Sequence, residues 1–291
     1  MQTLPAAYMQ THHCFCTLAV GKRYRLHAKM LAGDIQKYAP ETAFVVLTDK
    51  PKDFEHLANV LAFPHWLQSV KGYHDKRFVL EKALSLFAAC IFVDSDVRLL
   101  GSVPQNLPFA DGIVARYGCG IVKHNSTDTA RAAFTSIQSV ANRLNLNLEE
   151  VYWFHEFMFL LSKQQGKEQA FFECWRAIAR EFEMNGIYDG EGSVMGLAAA
   201  ATGLNISFHR SDFFPCFKDS IQKEKIKNGQ ADPQAMIEEF NTHREIEYPS
   251  RSLFQKVANK AQAQTGFYRR LLTLRINAYL STDTRLKTPQ I

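Results

Sequence analysis

The chain has 291 residues, 46% apolar and 22% charged, with a formal net charge of +5. That composition fits a globular protein with a large core and excludes a disordered or low-complexity chain. The charge is modest and its basic residues form no recognition motif, so no nucleic-acid partner is expected.

The N-terminal MQTLPAAYMQTHHCFC lacks a charged segment followed by an apolar one, so it does not read as a signal peptide. No run of 18 or more apolar residues occurs, so no membrane-spanning helix is expected, and a cytoplasmic location is predicted. The six cysteines show no CxxC spacing and read as small core residues. His12-His13-Cys14-Phe15-Cys16 raises a metal site, but no second ligand pair is in evidence.

Residues 14–20 read as a buried strand. Leu26, Met30, Leu31, Ile35 and Tyr38 then follow helical spacing over 24–38, which Pro40 ends. Residues 44–48 form a second β-rich run, stopped by Asp49-Lys50-Pro51. Residues 76–88 place Leu80, Ala83, Leu84 and Phe87 on one helical face, and 90–93 are a third apolar strand. Strand, helix, strand and again helix, strand predicts an α/β domain with a mainly parallel sheet flanked by helices, Rossmann-like in kind. Further on, 112–116 and 119–122 read as short strands, 127–143 as a helix, and 157–161 as a strand. Helices are expected over 167–184 and from Gly190-Glu191-Gly192 to Gly203. Residues 217–250 are polar and carry no clear period. Residues 251–280 predict one or two amphipathic helices, broken near Gly266, so the chain divides into a catalytic domain over 1–250 and a basic helical segment over 251–291.

The third strand exits into Asp94-Ser95-Asp96. On an extended segment residues i and i+2 point the same way, so both carboxylates face one spot. Such oxygens suit Mg2+ or Mn2+, which bridge readily to phosphates. In parallel sheets ligands bind outside the carboxyl ends of strands, and three such ends here carry polar residues: Gly21-Lys22, Thr48-Asp49 and the aspartate pair. A D-x-D alone is weak, and a solvated turn is the plain alternative.

Four motifs in order resemble the nucleotide-sugar glycosyltransferases of GT-A fold, in particular glycosyltransferase family 8, the glycogenin and lipopolysaccharide galactosyltransferase group. They are TLAVGKRY at 17–24, VVLTD at 45–49, Arg77 and Lys82 in KRFVLEKAL, and IFVDSDV at 91–97. The resemblance is good over 14–104 and loose elsewhere. It implies a metal-dependent transfer of a sugar from a nucleotide sugar, a UDP-sugar first, to a glycan, lipid-linked or other acceptor, with anomeric configuration retained. It implies that Thr17, Ala19 and Tyr24 line the nucleotide pocket and that Asp49 meets base or ribose. Arg77 and Lys82 then offer positive charge, Asp94 and Asp96 hold Mn2+ or Mg2+, and Ser95 lies near the ribose. For Arg77 and Lys82 a solvated helix face beside Glu81 stays open, and for Tyr24 simple packing.

The later motifs depart from the family. Where relatives read N-x-G, this chain has His155 and Glu156, and where they carry an acidic helix start it has Asp189 and Glu191. Glu156, Asp189 and Glu191 are the candidate catalytic carboxylates. Asp189 as a helix cap and Glu191 as a partner of the helix dipole are the structural alternatives. Relatives use a histidine as third metal ligand, within H-x-x-G-x-x-K-P. His243 is the candidate here, without the Gly and Lys, and His209 is the reserve.

Residues 251–287 hold eight basic residues against one acid, Asp283. FYRRLLTLRINAYL at 267–280 mixes apolar residues with three arginines, which leaves peripheral membrane contact open beside packing on the domain. Two rivals remain: a haloacid-dehalogenase-like phosphatase using the same D-x-D, and a non-catalytic nucleotide-sugar-binding protein. The phosphatase motif D-x-D-x-T is not met, because Arg98 stands at its fifth position.

Overall fold

The computed structural model describes residues 12–126 and 131–280. Its centre is a seven-stranded sheet in the order β10-β6-β9-β4-β1-β2-β3. The strands are β1 His13–Ala19, β2 Phe44–Thr48, β3 Val60–Pro64, β4 Ala89–Val93, β6 Gly112–Ala115, β9 Met158–Ser162 and β10 Ile206–Phe208. β1 pairs in parallel with β2 and β4, β2 with β3, and β6 with β10, while β9 runs antiparallel to both neighbours. Six strands therefore end on one edge, and β9 begins there. This is the mixed, mainly parallel α/β sheet that the alternating pattern predicted.

Helices cover both faces. α1 (Lys22–Tyr38) packs on β1 and β2, and α2 (Lys76–Leu86) packs on β1, β2 and β4. The pleat separates the two cores. Cys14, Cys16, Cys90 and Phe92 face the layer of Leu80, Ile137, Trp175 and Leu197, while Phe15, Ala19, Phe44 and Ile91 face Leu31, Ile35 and Phe214. The first layer uses α2, α4 (Arg131–Leu144), α5 (Lys167–Met184) and α6 (Glu191–Thr202). The predicted residues 127–130 of the α4 helix lie outside the described residues.

Smaller elements complete the frame. β5 (Arg98–Leu99) pairs with β11 (Cys216–Phe217), and β7 (Gly118–Gly120) with β8 (Tyr152–Phe154), both antiparallel. The strand expected over 119–122 is only β7, because Ile121–His124 turns into a short helix, α3. The unassigned stretch from 217 contains β11, α7 (Asp219–Lys227) and α8 (Ile237–Glu247), and α8 packs on α1.

Two glycines decide how close α6 comes to β8. A Cβ at Gly196 would lie 1.8 Å from the Tyr152 carbonyl oxygen, and one at Gly192 would lie 2.4 Å from that of Phe154. Only glycine lets the two backbones meet at that distance. This approach brings the first residue of α6, Glu191, over the sheet edge.

Of the one or two helices expected, the C-terminal segment forms one, α9 (Leu253–Leu280), and the expected break near Gly266 is absent from it. Phe267 meets the Tyr188 ring at 5.3 Å, and Arg270 donates to the Val70 carbonyl at 2.9 Å. The rest of α9 stands largely exposed, with Leu253, Phe254, Val257, Tyr268, Leu272, Ile276 and Tyr279 facing solvent. Arg285 and Lys287 of the basic tail lie outside the described residues. No helix among the described residues is long and apolar enough to cross a membrane.

Candidate active site

The sheet order places the site. From β1 the chain adds β2 and β3 on one side, then returns to place β4 on the other side of β1. The gap between the carboxyl ends of β1 and β4 is therefore a topological switch point, where such sheets open a ligand crevice. A cavity of about 590 Å3 lies there, lined by Leu18 and Val20 after β1 and by Phe92, Asp94, Ser95 and Asp96 after β4. The start of β9 adds His155, Glu156 and Phe157, because the Asp94 amide donates to the Phe157 carbonyl at 2.8 Å. Asp189, Gly190 and Glu191 close one wall, and Tyr24, Tyr73 and Lys71 form the rim.

Charge balance dominates this cavity. Lys76, the first residue of α2, reaches Asp94 at 3.0 Å and Glu191 at 2.8 Å. Lys218, between β11 and α7, reaches Asp94 at 3.1 Å and Asp96 at 2.5 Å. Burial alone would lower the Lys76 ammonium, but Asp94, Glu191 and Glu156 outweigh it and hold its pKa well above the ordinary value. Burial opposes the Lys218 charge as well, and Asp94 and Asp96 likewise win. Asp96 would be raised by burial, yet Lys218 and His243 keep it well below the usual carboxylate range. Glu191 is lowered in the same way, Lys76 outweighing burial. All four groups are therefore charged at neutral pH.

Glu156 is the exception. Burial, and next Glu191, push its pKa up to about 7, and its Oε2 is buried without a hydrogen-bond partner. A carboxyl that titrates near neutrality is suited to hold or take a proton. Burial also lowers His155 to about 4, so this neighbour on the cavity wall is neutral.

The structure brings together Tyr24, Asp94, Ser95, Asp96, Glu156, Asp189 and Glu191, all of which line the cavity. Asp189 does not cap α6, whose N-cap is Gly190 at φ 80°. Five of the expected donor-site residues are placed elsewhere. The pleat turns Leu18 and Val20 toward the cavity, so Thr17 and Ala19 are buried on the other side of β1. Asp49 accepts from the Gly21 amide at 2.9 Å and pairs with Arg25 at 2.6 Å, fastening the β1–α1 turn to the end of β2. Arg77 pairs with Glu81 at 3.3 Å and lies 3.7 Å over the Phe78 ring, while the Lys82 ammonium sits 4.2 Å over Phe63. One residue along a helix is about 100° of rotation, so the helix turns Lys76 inward and Arg77 away. His209 stacks on Phe213, outside the cavity.

His243 on α8 stands 3.9 Å from Asp96, in a second cavity that shares Tyr24, Asp96, Lys218 and Ser220 with the first. Cys14 and Cys16 are buried in the core, and the His12–Cys16 stretch forms no ligand cluster among the described residues. Lys76 and Lys218 are the site residues that sequence reasoning missed. The one signal for Lys76 was its position in KRFVLEK, and Lys218 had none, being 124 residues from Asp94.

No known family profile matches the chain, and no curated protein matches it. Among solved structures it is similar to the galactosyltransferase LgtC in complex with donor and acceptor sugar analogues, at 11% identity and a TM-score of 0.46. That overlap covers 67% of this chain and 72% of the other. An active-site mutant of LgtC is similar at 12% identity and a TM-score of 0.46, covering 67% and 71%.

Between its unfolded value of 4.5 and about 7, folded Glu156 keeps a proton that the unfolded chain has lost. Its contribution to stability therefore falls as pH rises through that window. Relative to wild type, Glu156→Gln should gain stability from about pH 5 to about pH 8 in chemical denaturation. A stability difference that stays constant with pH contradicts this assignment.

Proposed function

We propose that the chain is a GT-A-type glycosyltransferase that binds a nucleotide-sugar donor in the switch-point cavity and transfers the sugar to a glycan or lipid-linked acceptor. The observation that carries this reading is the meeting of Asp94, Asp96, Lys76 and Lys218 in one partly enclosed crevice. A diphosphate needs fixed positive charge, and two ammonium groups at the carboxyl edge of a parallel sheet supply it. The ordered N-terminal motifs point to the same chemistry.

Asp94 and Asp96 suit Mn2+ or Mg2+, because Lys218 bridges both carboxylates and so marks one position where a positive charge meets the pair. The two carboxylates would hold such an ion, which would supply positive charge to offset that developing on the departing diphosphate. The chain's own residues do the remaining work. Lys76 and Lys218 orient the diphosphate oxygens and stabilise them as the bond from the anomeric carbon breaks and its electron pair moves to the phosphate oxygen. The acceptor oxygen forms the new bond to that carbon, and its proton passes to Glu156. Asp189 and Glu191, on the wall beside it, accept hydrogen bonds from sugar hydroxyls. Tyr24 at the rim offers a ring face to the base, a UDP-sugar being the first donor to test. The family resemblance implies retention, which requires the acceptor oxygen to attack from the face that the diphosphate leaves.

α9 supports peripheral contact with an anionic membrane, since it carries five basic residues, no acid and an exposed apolar stripe. The protein should then co-sediment with anionic vesicles and not with neutral ones. Failure to bind either would remove the membrane reading while leaving the transfer reading intact.

The test of function is a panel of nucleotide sugars and nucleoside diphosphates with Mn2+ or Mg2+, read as thermal stabilisation and then as nucleotide release. At least one should raise the melting temperature with concentration. Joint Asp94→Ala and Asp96→Ala replacement should abolish the metal-dependent part. If no nucleotide shifts the wild type, the reading fails; if one binds but no sugar is ever released or transferred, the chain is a binding module.

A further inference from the structure

Beside the donor cavity, α1 and α8 bring two imidazoles and a carboxylate together. The ligand atoms of His27, His243 and Glu247 all lie within 4.8 Å of one another, the one such cluster among the described residues. His27 Nε2 is 3.1 Å from a Glu247 oxygen, and the two imidazole centroids are 5.1 Å apart. His27 is buried, so its ring is held in place on α1 facing α8. Glu247 also meets Arg23 at 2.8 Å.

A simple latch between α1 and α8 explains the bonds from Glu247 to Arg23 and His27. It does not explain the second imidazole. His243 turns Nε2 toward Asp96 and Nδ1 toward Asp219, at 3.9 and 3.8 Å. A ring whose second nitrogen faces a carboxylate is the usual support of a metal-ligating histidine. Asp96 offers two different oxygens: Oδ1 is held by Lys218 at 2.5 Å, while Oδ2 is the one facing His243. The face of Asp96 toward α8 is thus separate from the face toward the cavity.

We infer that His27, His243 and Glu247 form a second divalent-cation site, of the kind that takes Zn2+ or a similar imidazole-preferring ion, and that it pins α8 to α1. Two imidazoles and a carboxylate select such ions over Mg2+, which favours oxygen ligands. His243 then belongs to this site and not to the aspartate pair as a third ligand. Binding draws Glu247 from Arg23 and releases that guanidinium into the second cavity, which it lines with Lys218, Lys223 and Arg244. The inference stands independently of the donor reading, because no nucleotide enters its test.

The test is titration of tag-free, metal-free protein with Co2+, followed by visible absorption and by competition with Zn2+. One ion per chain should bind with a spectrum of nitrogen and oxygen ligands, apart from any held by the aspartate pair, and Zn2+ should displace it and raise the melting temperature. His243→Ala and Glu247→Gln, both at half-buried positions that leave His27 in the core, should each weaken binding at least about tenfold. Asp94→Asn should leave it unchanged. Absence of Co2+ and Zn2+ binding overturns the inference. So does binding that survives both α8 variants, or binding lost in Asp94→Asn alone, which would return the cation to the aspartate pair.

Discussion

One electrostatic constraint organises the candidate site: several carboxylates crowd the exit of β4, and two ammonium groups hold them there. Asp94, Asp96 and Glu191 repel one another, and Lys76 and Lys218 tie them into one network. Removing one member of a buried pair leaves an uncompensated charge and typically costs about 3–5 kcal/mol. Lys76 is also poorly placed by local rules. It opens α2, where the positive end of the helix dipole disfavours a cation by roughly 0.3–1 kcal/mol. A residue that breaks a local rule and pairs with two acids instead marks a candidate functional site.

Much of the fold exists to deliver those charges to one edge. The switch between β1 and β4 opens the crevice, and the antiparallel β9 starts there, so Glu156 enters from a strand beginning while Asp94 enters from a strand end. Gly192 and Gly196 let α6 lie against β8, and that contact carries Glu191 to Lys76. β11 pairs with β5, the strand just after the aspartates, and so returns Lys218 to them from far along the chain. α8 then closes the outer side over α1. The result is a graded set of groups: ammonium and carboxylate ions fixed at neutral pH, and one carboxyl, Glu156, free to exchange a proton.

The alternating pattern of apolar strands and amphipathic helices was enough to read the sheet class from sequence, and the D-x-D exit was enough to find the crevice. Finer placement failed where geometry turns on a single residue. Thr17 and Ala19 were assigned to the pocket, but the strand period of two gives that face to Leu18 and Val20. The resemblance points to Arg77 and Lys82 as the cations, but one helical step turns Lys76 into the cavity instead. Lys218, His27 and Glu247 were invisible for another reason, since their partners lie on distant segments and 217–250 has no hydrophobic period. β3 was missed as a five-residue run ending in Pro64, and Gly266 was overread, because an exposed helix tolerates one glycine at a cost of about 1 kcal/mol.

The central claim is that Lys218, set against Asp94 and Asp96, receives the diphosphate of a nucleotide donor. Calorimetric titration of the best-binding nucleoside diphosphate into wild type and Lys218→Met tests it most directly, with folding of the variant checked by circular dichroism. Affinity should fall at least about tenfold, a loss of roughly 1.4 kcal/mol, with and without added divalent ion. Equal affinity in a folded Lys218→Met would contradict it and leave the lysine a structural counter-ion alone.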